Sequence, residues 1–355
     1  MSTAEKLRAL KEKAAVIFMQ YNWFRYAALA FAIGGVLGSI TLVILEVLNT
    51  NQASFYRGGM FQLHGILSLV AISAAADREP FDVKLGLLFG VLSLIANVYA
   101  AIWETTRVVA CTNLAPTTVV DNAICFGESM WFANLIFAWF FVVGSLFLLL
   151  ILYFWLDKIN EAAETERCAV LLKGKEEAAI AGKQFAPGMI VGANTHMKLF
   201  KRQNETDIVM GRHWLATAQK ALAVVGAIVI VAYTAINMIW ITSASFYRMP
   251  MLIIAAHATG ASFGVFGHVP TYWPWIITLF ALLGAGTAFW CMIIEWSRPC
   301  PGTTAYEVEI CANEGWLRWV GPSTATFVTL LMLLTLVFGV WSVVTGRRAV
   351  KASKQ

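Results

Sequence analysis

The side chains best able to do chemistry in this chain are two glutamates with arginines beside them. Glu104-x-x-Arg107 and Glu295-x-x-Arg298 are one motif written twice, 191 positions apart. At i,i+3 on a helix the two side chains of each motif share a face. Arg57 and Arg248 close a repeated Ala-Ser-Phe-Tyr-Arg segment at the same offset, and they are predicted to lie near the motifs. A carboxylate flanked by guanidinium groups reads as a charged clasp that ties the loops at helix ends. The competing chemistry is an ionisable site at a pore mouth or for a lipid headgroup, because charge at membrane depth is costly and tends to be kept for a use.

The histidines follow a different logic. His64 stands opposite Ala255 in the 191-residue register, His257 opposite Ile66 and His268 opposite Asp77. Two axial imidazoles can hold a haem, but residues out of register in a repeated chain favour buried or loop histidines bonded to neighbours. No metal and no cofactor are therefore expected. Glu46, paired in register with Asn237, is placed to join His64 in a possible intramembrane polar site together with His257. Cys111 and Cys125, then Cys300 and Cys311, fall in two equivalent loops, and a disulfide closing each loop is expected if those loops face an oxidising side. Cys168 and Cys291 read as ordinary thiols. No phosphate loop, nucleophile elbow, metalloprotease helix or dinucleotide fingerprint is visible, so nothing in the sequence argues for an enzyme.

These residues must be positioned by membrane helices. Hydrophobic residues make up 59% of the chain and charged residues 13%, far from the balance of a soluble globular domain. Apolar stretches of the ~20 residues needed to cross a bilayer occur near 26–48, 59–76, 83–103, 131–156, 219–242, 249–267, 273–294 and 323–345. With the N-terminus inside, every Lys and Arg falls on the inner side except Arg57, Arg107, Arg248, Arg298 and Arg318, as the positive-inside rule requires. The net charge of +5 is then an inner-surface property that suits anionic lipids, not nucleic acid.

Residues 17–107 correspond without a gap to 208–298, so the chain reads as a duplicated unit with both copies oriented alike. The expected organisation is an inner amphipathic segment (1–22), a first four-span repeat (23–156), an inner polar linker (157–211), a second four-span repeat (212–346) and a basic inner tail (347–355). Residues 3–21 suit either a helix lying on the inner leaflet or an extension of the first span that packs on the linker. Asp157–Lys183 reads as a continuation of the fourth helix, broken at Pro187-Gly188. The fold class is all-α, two tandem four-helix bundles.

Four spans, inner termini and a cysteine pair between spans three and four resemble the tetraspan class, most nearly MARVEL-type proteins, with one such unit in each half. The Cys-Cys-Gly motif of tetraspanins and the Trp-Gly-Leu-Trp-type motif of claudins are absent. The duplicated bundle, the stapled outer loops, the small-residue helix faces and the lack of catalytic signatures point to a structural or membrane-organising role, without catalysis, through lateral assembly with itself or within a larger membrane complex. The alternatives are a channel or transporter with a polar path through the bundles, and an accessory subunit of an electron-transfer or pigment complex. The expected location is a plasma membrane or endomembrane.

Overall fold

The computed structural model describes residues 3–48, 61–77, 80–112, 131–180, 209–239, 252–267, 270–297 and 319–352. Within these the chain forms α1 (Thr3–Leu48), α2 (Gln62–Asp77), α3 (Pro80–Thr112), α4 (Trp131–Ile180), α5 (His213–Ile239), α6 (Leu252–Phe263), α7 (Trp273–Ser297) and α8 (Val320–Ala352). A 3₁₀ turn, Gly264–Phe266, extends α6. Helices are what apolar runs must form in a bilayer, where each backbone N–H and C=O needs a partner within the segment. Pro80, Pro274 and Pro322 each sit in the first turn of a helix, where the missing N–H costs nothing.

Six helices (α1, α3, α4, α5, α7 and α8) are long and apolar enough to cross a membrane. The chain is a multi-pass helical bundle of the integral-membrane type. Of the eight spans expected from hydropathy, the other two, α2 and α6, are shorter among the described residues. As described, α2 has 16 residues, about 24 Å of helix at 1.5 Å per residue, and α6 with its 3₁₀ turn is shorter still. These two helices also differ in place: every residue of α6 and nearly every residue of α2 is buried. They pack on each other at the centre, and the long helices surround them. The outer faces carry Phe31, Leu37, Leu150, Leu279 and Leu330, all exposed, as lipid-facing surfaces do.

The neighbours are alike in the two halves. In the first, α1 packs on α2 and α4, and α3 packs on α2 and α4; in the second, α5 packs on α6 and α8, and α7 packs on α6 and α8. The α1/α4 seam is aromatic, with Phe24 on Phe154, Phe31 on Phe147 and Tyr21 edge-on to the buried Trp155. One set of numbers rises as the other falls, so the two helices are antiparallel. Lys13 continues the seam to Glu161 at 3.3 Å, and Ile17 is buried. The N-terminal segment is thus part of one unbroken helix that packs on the extension of α4, not a separate helix on the leaflet. That extension runs helical to Ile180.

The central pair crosses closely because glycine faces backbone. A methyl group on Gly260 would stand 2.9 Å from the Ile66 carbonyl oxygen, 2.9 Å from Leu69 Cβ and 3.0 Å from Ile66 Cα. One on Gly65 would stand 3.2 Å from the Ile253 carbonyl oxygen, and one on Gly264 would stand 2.7 Å from Ser73 Oγ. Small residues let membrane helices approach in this way. Residue numbers on both helices rise together through these contacts, so α2 and α6 run parallel.

Candidate functional site

The most polar part of the interior is built around His64. Its position on α2 points the imidazole between α3 and α4, against Phe141 at 4.8 Å between ring centres. Nδ1 lies 2.9 Å from Ser145 Oγ on α4. Ser145 Oγ is 3.0 Å from Ser93 Oγ on α3 and accepts from Asn97 Nδ2 at 2.9 Å. Asn97 also donates to Ser93 Oγ at 3.1 Å and to the Phe141 carbonyl at 3.3 Å. All four side chains, His64, Ser93, Asn97 and Ser145, are buried.

Counting protons orders this network. Asn97 Nδ2 donates only and has two hydrogens for three acceptors in reach; with one on Ser145 Oγ, the nearest at 2.9 Å, that hydroxyl keeps one hydrogen to give. When that hydrogen goes to His64 Nδ1, the neutral imidazole carries its own proton on Nε2. Nε2 is buried and has no hydrogen-bond partner among the described residues, and the same holds for the Ser68 hydroxyl one turn along α2. Both converge on Gly35 of α1, where a side-chain carbon would collide with Nε2 and stand 2.5 Å from Ser68 Oγ. The imidazole therefore presents one nitrogen to a bonded serine and the other, across the ring, to a separate polar spot. Such a disposition suits the relay of a proton.

The positions of the second half in register with His64, Ser93 and Asn97 hold Ala255, Gly284 and Ala288. There the contact is dry: Met332, which meets Gly284 where Ser145 meets Ser93 in the first half, places its sulfur 3.1 Å from where a Gly284 Cβ would be, and Ala255 Cα is 3.3 Å from the same point. The second half has its own, smaller polar contact, Gln219 donating to the Thr335 carbonyl at 3.2 Å and accepting from Ser262 at 3.4 Å.

His257 is buried on α6 beside Gly65, its neighbour across the central pair. Its Nδ1 donates to the Ile253 carbonyl at 2.7 Å and its ring stacks on Phe280 at 5.4 Å. The two imidazoles thus present their bonded nitrogens to different helices. Among the described residues no group of three or more His, Cys, Asp or Glu is placed to hold a metal ion.

Glu104 and Glu295 are 1% and 4% exposed. The Glu295 carboxylate reaches the first turn of α8, with Oε2 3.1 Å from where a Gly321 Cβ would lie. An anion at that helix end is favourable because the N-terminal peptide dipoles point their positive end at it. The helix contacts beside both glutamates are closed by a Trp–Thr bond, Trp139 Nε1 to Thr105 Oγ1 at 3.2 Å in the first half and Trp296 Nε1 to Thr326 Oγ1 at 3.0 Å in the second. The helix supplying the tryptophan is exchanged between halves. Of the other predicted site residues, Arg57, Cys125, Arg248, Arg298, Cys300 and Cys311 lie outside the described residues, as do the side chains of Glu46, Arg107 and Cys111. The clasp and the disulfides therefore rest on sequence alone.

No family model, curated protein or solved structure matches the chain. The tetraspan likeness accordingly remains one of helix order and cysteine placement.

Proposed function

We propose that this integral membrane protein moves a proton, or a small polar solute that exchanges one, through a site centred on His64. The observation that carries the reading is the asymmetry of the interior. If the His64–Ser145–Asn97–Ser93 network served only to hold three helices together, the second half would need an equivalent. It packs the same helix neighbours with Ala255, Gly284, Ala288 and Met332. A buried polar group left without a partner costs about 1–3 kcal/mol, so its retention in one half favours a use. On this reading the protein is not an enzyme.

The two halves are, on the same proposal, fused copies of one four-helix unit, related by an axis between α2 and α6 along the membrane normal. In support, Leu69 packs on Gly260 and Ser73 on Gly264, and each of these is a pair of register partners. Residues that touch their own counterparts lie beside a two-fold axis. The basic ends of the helices are assigned to the inner side and the cysteine loops to an oxidising outer or lumenal side.

The test is purified protein in liposomes under an imposed pH gradient, followed with an internal pH dye. Proton flux should be present in the wild type, lost in His64→Phe, and kept in Gln219→Met, which alters the polar contact of the second half. Wild-type flux in a folded His64→Phe variant would refute the assignment. Absence of any flux in the wild type would return weight to a structural, membrane-organising role with lateral assembly, which the tight Gly65/Gly260 crossing of the central helices favours.

A further inference from the structure

At the other side of the molecule from the His64 network, a cavity of about 390 Å³ opens where α7 begins and α8 ends. Val209, Thr271, Pro274, Trp275, Ser342 and Arg347 are among its walls, with Arg348 at the rim. We propose that this cavity binds the phosphate of an anionic phospholipid headgroup.

The cavity exists because two glycines let the chain entering α5 lie on α8. Gly211 has φ +82°, a left-handed conformation that glycine adopts without strain. A side chain there would strike Thr345, and one on Gly346 would strike the Val209 carbonyl. Thr345 Oγ1 bonds across to the Met210 carbonyl at 3.5 Å. The segment entering α5 thus forms one wall and the first turn of α7 the other.

Its chemistry is cationic. Among the described residues no carboxylate lines it, and both arginines are exposed. Arg347 lies over the Trp275 ring at 4.7 Å, which holds the guanidinium at the mouth. The α7 N-terminus and the α8 C-terminus bring opposite dipole ends to the cavity, so the arginines set its sign. Independently, Ser342 on the cavity wall is buried and its hydroxyl has no hydrogen-bond partner among the described residues. A phosphate oxygen is an acceptor that a serine hydroxyl and two guanidinium groups can share.

A lipid is favoured over free phosphate by what lies alongside. Tyr272 and Trp275 are exposed at the cavity, as aromatic side chains are at the headgroup level. One and two turns away on the same helix faces, Leu279 and Leu283 on α7 and Val344 and Val340 on α8 are exposed and apolar. An acyl chain can follow that surface while its phosphate stays at the arginines. This site shares no residue with the His64 network and stands or falls separately from the transport reading.

The test is native mass spectrometry of the detergent-purified full chain with phosphatidylglycerol or phosphatidylcholine added. Phosphatidylglycerol should be retained preferentially, and Arg347→Gln with Arg348→Gln should weaken its retention about 30-fold, from roughly fivefold per arginine near a headgroup. Ser342→Ala should weaken it further, while Arg212→Gln, the loss of one charge on an exposed residue outside the cavity, should leave it unchanged. Melting curves establish that each variant is folded. Equal retention of phosphatidylcholine, undiminished retention in the double arginine variant, or an equal loss in Arg212→Gln would overturn the proposal. Displacement of the lipid by millimolar inorganic phosphate would overturn the lipid assignment and give the cavity to the free ion.

Discussion

Ser145 is the hub of the buried network, so Ser145→Ala is the sharpest perturbation of it. The hydroxyl touches His64 Nδ1 at 2.9 Å, Asn97 Nδ2 at 2.9 Å and Ser93 Oγ at 3.0 Å. Removing it leaves Asn97 and Ser93 bonded to each other at 3.1 Å, with Asn97 also on the Phe141 carbonyl. Only the imidazole is stranded, with both nitrogens then without a partner among the described residues. One stranded buried group costs about 1–3 kcal/mol in water-soluble proteins, and interhelical bonds in membranes average about 0.6 kcal/mol with a maximum near 1.7. The expected loss is about 1 kcal/mol, or about 1–3 °C in melting temperature for a chain of this size. The assay is unfolding in mixed micelles for Ser145→Ala, His64→Phe and the double variant. Removing both partners should cost less than the two single losses added, with a coupling of about 0.6–1 kcal/mol. Strict additivity, or a Ser145→Ala melt identical to wild type, would mean that the serine does not hold the imidazole and that the proton ordering derived from it is wrong.

Gly260→Ala should destabilise by about 1–3 kcal/mol, because its methyl would meet Ile66 backbone that cannot swing aside; Gly286→Ala, with nothing within 4 Å of the new carbon, should be neutral or stabilising by up to about 1 kcal/mol, and thermal melts of the two compare them directly. Glu295→Gln should lower stability by about 1–2 kcal/mol through the lost charge at the first turn of α8, and Glu104→Gln should act similarly; wild-type melting in the double variant would remove both from the structural account. Non-reducing peptide mapping should recover Cys111–Cys125 and Cys300–Cys311, each worth about 3 kcal/mol by chain entropy; four free thiols would end that expectation.

Hydropathy and charge in the chain alone determine the membrane setting, the all-α class and the position of each helix, because a bilayer leaves an apolar run no other backbone solution. The continuation of α4 past Asp157 was equally legible from its Ala, Glu and Lys content. The central place of α2 and α6 was not. Both carry apolar residues on every side with a few polar ones among them, so no stripe marks an inward face, and only their packing on each other separates them from the helices around them. Ser93, Asn97 and Ser145 escaped sequence reasoning for a related reason. A serine in a membrane helix can satisfy itself on the carbonyl one turn back, so its type says nothing of a partner across the bundle. The i,i+4 spacing of Ser93 and Asn97 in an apolar run was the one available signal. Likewise the glutamate motifs were visible by spacing, but their burial depends on the helices packed beside them. Which polar residues meet is decided by three helices converging on His64, a long-range geometry that no local pattern encodes.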